Sequence, residues 1–343
     1  MVGTRRKALP VVKREALGDS RNPATTVSIV FLCISMVFSL HVIPSYSDTI
    51  ERDIHPDNRQ IAITIDDLPS PYDDMETIVY VRDNLIPRIV RDSIPAVGFV
   101  NEYKLYVRGE IDERVAILEQ WLNAGIELGN HTFSHIRIDD ATVEAYTSDV
   151  IRGETVTAWL MRRSGKKLRY FRHPQLRTGP TPDFKASVDE FLHSRGYTVA
   201  PVTMDNDEYV FAAVYHMAKC NGDSLVMSRI ASAYLTYMSG IVDHFEEISM
   251  GFLGRNINHI LLLHANELNA DHFGELIGML RKKSYSFITL EKALSDPAYS
   301  LPEAGSTRGI SWIYRWMIAE GKTPPEQPRP KEAVMELFNT YYR

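Results

Sequence analysis

Cysteine is scarce in this sequence of 343 residues, which has only Cys33 and Cys220. A small domain held together by disulfides needs more cysteines, and a zinc finger needs several thiols close together in sequence. Two distant cysteines therefore exclude both classes. If residues 1–47 are removed, Cys220 is left alone and no internal disulfide can form.

An excess of basic charge is also absent, because 38 Lys and Arg stand against 44 Asp and Glu, which gives a net charge of −6. Proteins that bind nucleic acids usually present a basic surface, so this balance argues against a nucleic-acid partner. The content of 44% hydrophobic and 24% charged residues is typical of a globular protein with a core. It excludes a disordered chain and a membrane protein with many spans.

One long apolar run is present, since residues 27–43 contain no Asp, Glu, Lys or Arg. Residues 1–25 carry six basic and two acidic side chains, and Ser45-Tyr46-Ser47 offers small residues before a cleavage point. This pattern predicts a secretory signal over residues 1–47, followed by a linker over 48–58. A membrane anchor formed by 27–43 is the close alternative, and a buried core helix is a third. We expect export to the periplasm or cell envelope.

Short apolar segments alternate with helical stretches from residue 59 onward. The predicted strands cover residues 60–65, 96–100, 126–129, 168–171, 198–204, 257–263 and 286–290. The predicted helices cover residues 77–91, interrupted by Pro87, and residues 112–124, 143–161, 187–195 and 274–283. This alternation predicts parallel strands joined by helical crossovers. It favours a closed or nearly closed barrel over an open sheet, although the pattern alone does not separate the two.

Two segments fall outside this alternation. Residues about 211–251 are predicted to be a helical insertion. Residues 301–343 are predicted to be a C-terminal extension, made of an aromatic stretch, a proline-rich loop and a short helix. Packing is the simplest interpretation of both segments, and the alternative is that they shape a substrate groove.

Polar side chains follow most of the predicted strands. In α/β proteins the carboxyl ends of the strands carry the chemistry. Asp66 and Asp67 follow the first strand, His131 and His135 follow the third, and Arg172 follows the fourth. Asp205, Asp207 and Glu208 follow the fifth strand, and His264 follows the sixth. Their concentration predicts a functional site at this edge of the sheet.

His131 and His135 are four residues apart, so on a helical turn they would share one face. With one carboxylate they form a set that suits Zn²⁺, Co²⁺, Ni²⁺ or Fe²⁺. A surface or capping pair is the alternative interpretation. Asp66 and Asp67, which follow a buried strand directly, favour the metal site, because two adjacent carboxylates are costly to keep there without a cation. One can bind the metal while the other acts as a base.

Five segments resemble, in order, the motifs of the polysaccharide deacetylases, which are the NodB-homology group or carbohydrate esterase family four. They are Thr64-Ile-Asp-Asp-Leu68, His131-Thr-Phe-Ser-His135, Arg172-His-Pro174, Asp205-Asn-Asp-Glu-Tyr209 and Leu261-Leu-Leu-His264. The resemblance covers about residues 59–295 and implies a distorted (β/α)₇ barrel, so we place the catalytic domain at residues 59–300. It also implies metal-dependent removal of N- or O-linked acetyl groups from carbohydrates.

The resemblance implies a role for each matching residue. The general base, the arginine that orients it and the general acid would be Asp66, Arg172 and His264. The metal ligands would be Asp67, His131 and His135. The residues that support the site or bind substrate would be Pro174, Gln175, Asp205, Glu208, Tyr209 and Leu262.

Within that last set, the Gln175 N–H would help to bind the oxyanion and Leu262 would line the acetyl pocket. Glu208 aligns with the carboxylate that pairs with the arginine, although Asp205 or Asp207 could fill that position. Tyr209 stands where a tryptophan is usual, and Leu68 stands where the first motif normally ends in glycine. These departures concern substrate preference more than chemistry.

The leading hypothesis is a hydrolase that removes acetyl groups from a polymer containing N-acetylglucosamine, such as peptidoglycan or a chitin-like glycan, by attack of metal-bound water. One divalent ion is expected, Zn²⁺ first and Co²⁺ or Ni²⁺ as alternatives. The carbohydrate is the expected partner, with membrane attachment through residues 27–43 as an option. Alternative functions are an O-acetyl esterase, a hydrolase of small amides, and a non-catalytic sugar-binding protein of the envelope.

Overall fold

A computed structural model describes residues 59–341 of the chain. The predicted signal or anchor at residues 1–47 and the predicted linker at residues 48–58 lie outside the described residues.

Strands and helices alternate along most of the described chain. The strands are β1 (Gln60–Leu68), β2 (Val97–Val100), β3 (Glu127–Asn130), β4 (Tyr170–Phe171), β5 (Thr198–Val199), β6 (Asn258–His264) and β7 (Ser286–Phe287). The helices are α1 (Met75–Arg91), α2 (Ile111–Asn123), α3 (Val143–Arg152), α4 (Thr155–Arg163), α5 (Pro182–Ser194), α6 (Glu208–Cys220), α7 (Ser224–Leu253), α8 (Glu267–Lys282), α9 (Leu290–Leu294), α10 (Trp312–Ala319) and α11 (Glu332–Tyr341).

The seven strands form one parallel sheet that curls towards closure. Its order is β5-β4-β3-β2-β1-β6, and β7 pairs with the start of β1. Beyond β5, Met204 forms a parallel bridge with Leu261 of β6, so the chain returns to the far edge of the sheet. The expected α/β fold, a distorted (β/α)₇ barrel, is confirmed. All strand carboxyl ends consequently meet at one rim.

The longest ladder of the sheet joins β1 and β6. Their register runs unbroken from Gln60 opposite Asn258 to Asp66 opposite His264. Ile61, Ile63 and Ile65 of β1 are buried, as is typical of a parallel strand covered by helices on its outer face. This long ladder fixes the positions of the side chains at the rim.

Three predictions about individual elements are wrong. The predicted helix at 143–161 is two helices, because Gly153 passes so close to the 131–135 loop that an added Cβ would lie 2.5 Å from the Thr132 carbonyl carbon. Helix α1 continues through Pro87, which lies on its exposed side. The predicted strand at 198–204 is regular only over β5, and residues beyond it bend towards β6.

The segment predicted as a helical insertion contains α6 and α7. By length and composition α7 could cross a membrane. However, one face of α7 is fully buried, namely the face that carries Tyr234, Ile241 and Phe245. The helix packs against α6 and α8. This is the packing of a core helix.

Candidate metal centre and active site

Asp66 and Asp67 lie within β1, at an irregularity in its pairing with β2. The register shifts between Ile65 and Leu68, and Asp67 has a φ of 64°. In a regular strand successive side chains point to opposite faces, so one of the two carboxylates would leave the site. The irregularity keeps both carboxylates in the site, and each of them lines the same cavity at the carboxyl ends of the strands.

The loop that carries His131 and His135 is not helical, so a shared helical face is not what brings the two histidines together. Thr132 and His135 have φ values of 64° and 54°, in the left-handed region. The His131 Nδ1 donates to the Arg172 carbonyl at 2.8 Å, which leaves Nε2 available to a metal. Burial lowers the pKa of His131 to about 4, so its imidazole is neutral at physiological pH.

Side chains from neighbouring elements form hydrogen bonds with the backbone polar groups of this loop. The Asn101 side chain donates to the His131 carbonyl at 2.7 Å, and the Thr132 N–H donates to the Asn130 side chain at 2.7 Å. The buried carboxylate of Asp149 on α3 accepts from the Ser134 N–H at 2.9 Å. The loop is thereby held in a shape that its own sequence does not favour.

Asp67, His131 and His135 bring three ligand atoms together. The Asp67 Oδ1 lies 3.7 Å from each of the two Nε2 atoms, and all three atoms lie within 4.8 Å of one another. Burial acts to raise the pKa of Asp67, but the surrounding histidines act more strongly in the opposite direction. The pKa of Asp67 therefore lies below its ordinary value. Asp67 Oδ1 is buried and has no hydrogen-bond partner among the described residues. A buried oxygen without a donor is what a metal ligand presents before the ion binds, so the donor set fits a divalent cation.

Asp66 lies beside this cluster and contacts a fixed arginine. Its Oδ2 is 3.4 Å from Arg172 Nη1 and 3.6 Å from His131 Nε2. Arg172 is fully buried, donates to Thr64 Oγ1 at 2.9 Å and stacks over Phe99 at 4.7 Å. The other Asp66 oxygen, Oδ1, is buried without a hydrogen-bond partner in the part of the chain that the structure describes.

Glu208 pairs with His264, so its predicted pairing with Arg172 is wrong. Its carboxylate accepts from His264 Nδ1 at 2.6 Å, from Asn269 at 2.8 Å and from Asn266. Glu208 is the first residue of α6, which places it against the end of β6 and the start of α8. Burial lowers the pKa of His264, but the Glu208 carboxylate outweighs this and raises it to about 9.

The loop after β4 carries Pro174 and Gln175. Pro174 is buried, whereas Gln175 and Leu176 both have a φ of 54°. Buried Arg315 of α10 donates to the Leu176 carbonyl and, at 2.8 Å, to Thr178 Oγ1. The C-terminal segment therefore holds this loop from behind.

A cavity of about 690 Å³ joins most of the predicted site. The predicted residues that line it are Asp66, Asp67, His131, His135, Gln175, Asp205, Tyr209, Leu262 and His264. Arg172, Glu208 and Pro174 do not line it. Arg172 and Glu208 instead bind residues that do.

Asp205 and Tyr209 form the side of the cavity that faces the C-terminal segment. Burial and the neighbouring Asp207 raise the pKa of Asp205 to about 7. Tyr209 is 52% exposed and meets Phe338 of α11 edge-on at 6.2 Å.

Sequence reasoning missed several residues of the lining, among them Tyr72, Asn266 and Phe338. Tyr72 and Asn266 closely follow the first and fifth motifs, so their position in sequence could have suggested them. Phe338 gave no such signal, because it reaches the cavity from α11 through tertiary packing alone.

The fold and the site define a class: an α/β barrel hydrolase whose acidic, basic and metal-competent side chains meet at the carboxyl ends of its strands. Residues 53–199 match the family model described as polysaccharide deacetylase. The resemblance of the chain to the polysaccharide deacetylase family is thereby confirmed. The match includes the first three motifs. No curated protein matches the chain in sequence.

The chain also aligns with solved structures at low identity. A CE4 family pseudoenzyme from Bacillus anthracis has 14% identity and a TM-score of 0.44, over 70% of this chain and 67% of that one. A family 4 carbohydrate esterase from Streptomyces lividans, in complex with acetate, has 17% identity and a TM-score of 0.43, over 69% and 96%. A family 4 acetyl xylan esterase from Clostridium thermocellum, in complex with a cobalt ion, has 14% identity and a TM-score of 0.41, over 69% of this chain and 91% of that one.

Proposed function

We propose that this protein is a metal-dependent hydrolase that removes acetyl groups from an N-acetylated carbohydrate polymer containing N-acetylglucosamine, such as peptidoglycan or a chitin-like glycan. One observation carries the proposal. The three ligand atoms of Asp67, His131 and His135 share a cavity with a candidate base, Asp66, and a candidate acid, His264.

The metal is proposed to be one divalent ion, Zn²⁺ first and Co²⁺ or Ni²⁺ as alternatives. Two imidazole nitrogens and one carboxylate oxygen suit these ions and leave coordination positions open. Asp67 Oδ1, which has no hydrogen-bond partner within residues 59–341, supports this assignment. When bound, such an ion polarises the acetyl carbonyl and makes water a better nucleophile near neutral pH.

Asp66 is proposed to accept the proton of the attacking water. Arg172 holds the Oδ2 side of the carboxylate, which leaves Oδ1 without a hydrogen-bond partner among the described residues. The base is therefore oriented on one side and open on the other. The N–H of Gln175, on the loop that Arg315 holds, is proposed to help bind the oxyanion.

His264 is proposed to donate a proton to the leaving nitrogen. An amide needs this proton because an amine anion is a poor leaving group. Glu208 takes the Nδ1 proton and raises the pKa of the ring to about 9, so the imidazolium persists at neutral pH. His264 lines the cavity, so its Nε2–H is the donor on the substrate side.

We further propose that the protein is exported to the periplasm or cell envelope, where such polymers lie. Residues 1–47 would be removed as a signal, or retained through an anchor at 27–43. The support is the charge pattern of that segment. Fractionation followed by N-terminal sequencing tests this, and an intact protein recovered only from the cytoplasm would contradict it.

Acetate release from matched N-acetyl and O-acetyl glucosamine oligomers tests the function. The purified protein is stripped with a chelator and reloaded with Zn²⁺ or Co²⁺. We expect release from the N-acetyl oligomer with metal only, loss of both metal and activity in His131→Ala, and neither loss in His193→Ala, a control at an exposed histidine.

Two other results would overturn the proposal. Release from the O-acetyl oligomer alone would identify an esterase. No release from either oligomer by the metal-loaded protein, together with measurable binding, would identify a sugar-binding protein. Full metal content in His131→Ala would refute the ligand assignment.

A further inference from the structure

The two carboxylate oxygens of Glu208 have different partners. Oε2 accepts from His264 Nδ1 at 2.6 Å, whereas Oε1 accepts from the side-chain amide of Asn269 at 2.8 Å and from that of Asn266. Glu208 and both asparagines are buried, so these donors take the place of water around the carboxylate. The direction in which Glu208 presents Oε2 to His264 therefore depends on how the two amides are oriented.

Each of these amides is held in one of its two orientations. The ends of an asparagine amide have nearly the same shape, but Nδ2 donates and Oδ1 accepts. The Oδ1 of Asn266 accepts from the backbone N–H of Asn269 at 2.9 Å, which turns its Nδ2 towards Glu208. The Oδ1 of Asn269 accepts from the hydroxyl of Tyr234 at 2.7 Å. The Tyr234 hydroxyl thus turns the Nδ2 of Asn269 towards Glu208.

Tyr234 comes from α7, in the segment that the sequence predicts as a helical insertion. It is fully buried, and Asn269 is 1% exposed, so water cannot replace the bond between them. The same Nδ2 of Asn269 also donates to the His264 carbonyl at 2.9 Å. An Asn269 amide turned over would place its oxygen against two acceptors, the Glu208 carboxylate and the His264 carbonyl.

We infer that Tyr234 is a positioning residue for proton donation by His264, acting through Asn269 and Glu208. The inference rests on the proposed function and deepens it, because it extends the support of the proposed acid to α7. Packing alone would need only the ring of Tyr234. The hydroxyl is used because it specifies one orientation of Asn269, and buried networks with every member satisfied are rigid for this reason.

Tyr234→Phe tests the inference, because it removes the hydroxyl and keeps the buried ring. With the metal-loaded full chain, we expect kcat on an N-acetylglucosamine oligomer to fall on the order of 10-fold, less than the ~10²-fold or more lost with a whole acid. The rate on 4-nitrophenyl acetate should stay at the wild-type value, since its leaving group needs no proton. A merely structural loss would lower both rates together.

The proton on His264 Nδ1 gives a readout that does not use activity. In a short hydrogen bond to a carboxylate such a proton resonates far downfield in the NMR spectrum, and we expect its signal to move upfield in Zn²⁺-loaded Tyr234→Phe. The matched control is Tyr215→Phe, which removes a buried hydroxyl that donates to Asp271 at 2.8 Å. The control should keep the signal and both rates.

A double-mutant cycle shows whether Tyr234 acts through Glu208. Residues that belong to one hydrogen-bond network have effects that do not add, whereas independent residues add. In a Glu208→Gln background we therefore expect Tyr234→Phe to change kcat on the oligomer by less than about 2-fold. The melting temperature and metal content of each variant verify that it is folded and loaded.

The failures of this inference and of the proposed function are distinguishable. Wild-type kcat and an unmoved NMR signal in Tyr234→Phe, or equal losses on the oligomer and the ester, overturn the positioning role and leave the proposed function standing. So does a full 10-fold loss in the Glu208→Gln background. No acetate from the oligomer with the metal-loaded wild type overturns the proposed function and this inference with it.

Discussion

Asp66 and Asp67 are neighbours in sequence but have different partners in the structure. The φ of 64° at Asp67 interrupts β1 and keeps both carboxylates at the rim. Asp67 then faces His131 and His135, while Asp66 contacts Arg172. Non-glycine residues in this region cost of order 1–3 kcal/mol and tend to occur at functional sites. Two adjacent carboxylates can therefore serve as ligand and base without competing.

At the same scale, the Glu208 carboxylate accepts a hydrogen bond from His264 Nδ1 at 2.6 Å and raises the pKa of that ring. In the wild type we expect kcat/KM to fall on the alkaline side as His264, with a pKa of about 9, loses its proton. Glu208→Gln removes the charge that raises this pKa and leaves the burial that lowers it. The alkaline limb should therefore move to lower pH, measured as a pH profile of kcat/KM.

The control for this variant is Glu275→Gln, which alters the exposed pair of Glu275 with His272 on α8. Its profile should match the wild type. An alkaline limb that stays in place in Glu208→Gln would show that Glu208 does not set the protonation of His264.

At the scale of elements, the histidine loop depends on the break between α3 and α4. Asp149, near the end of α3, binds Ser134, and Gly153 at the break lies against the backbone of Thr132 and Phe133. The loop has no regular structure of its own. Its shape is therefore set by helices that come later in the sequence.

Gly153→Ala tests this dependence. The new Cβ would lie 2.5 Å from the Thr132 carbonyl carbon and 2.6 Å from the Phe133 nitrogen, both of which are backbone atoms that cannot rotate away. We expect the free energy of unfolding to fall by about 1–3 kcal/mol, the usual cost of overpacking, and metal affinity to fall with it. Urea denaturation and metal titration measure the two effects.

Gly240→Ala is the matched control, because Gly240 lies within α7 and an added Cβ there has no neighbour within 4 Å. It should stabilise the protein by roughly 0.5–1 kcal/mol through helix propensity. If Gly153→Ala is as stable as this control, the close approach at the break does not hold the loop.

The sequence predicted the strands and the rim because both follow from local pattern. Apolar runs located β1 and β6, and the polar residues after them included Asp66 and His264. The four-residue spacing of His131 and His135 fitted a helical turn equally well, and the loop was decided by Asn130 and Asp149, which local spacing cannot reveal. The partner of Glu208 depended on where α6, β6 and α8 meet. Tertiary contacts of this kind leave no periodic signal.

At the scale of the whole molecule, the C-terminal segment completes the rim of the barrel. Phe338 lines the cavity that contains Asp66, Asp67 and His264, and Arg315 binds the loop that carries Gln175. Lys185 on α5 forms an ion pair with Glu303 at 2.7 Å. Residues far apart in sequence thus build one site.

Arg315→Lys tests the contribution of this segment. Arg315 donates from two nitrogens to Leu176 and Thr178, and a lysine ammonium cannot reproduce that planar arrangement. Leaving one buried acceptor without a donor costs about 1–3 kcal/mol of unfolding free energy. We expect that loss, and a lower kcat with little change in metal content.

Arg229→Lys serves as the control, since Arg229 is exposed on α7, and it should change neither quantity. Wild-type kcat and stability in Arg315→Lys would mean that the loop after β4 keeps its shape without the C-terminal segment.

The central claim is that Asp66 is the base of a metal-dependent deacetylase, and the most direct measurement is acetate release by metal-loaded Asp66→Asn. The side chain keeps its shape but loses its basicity, and the proposed metal ligands Asp67, His131 and His135 remain. We predict stoichiometric metal and a loss of about 10²-fold or more in kcat on an N-acetylglucosamine oligomer, while the surface control Asp243→Asn stays at the wild-type rate. Near-normal turnover by Asp66→Asn with its metal in place would contradict the account.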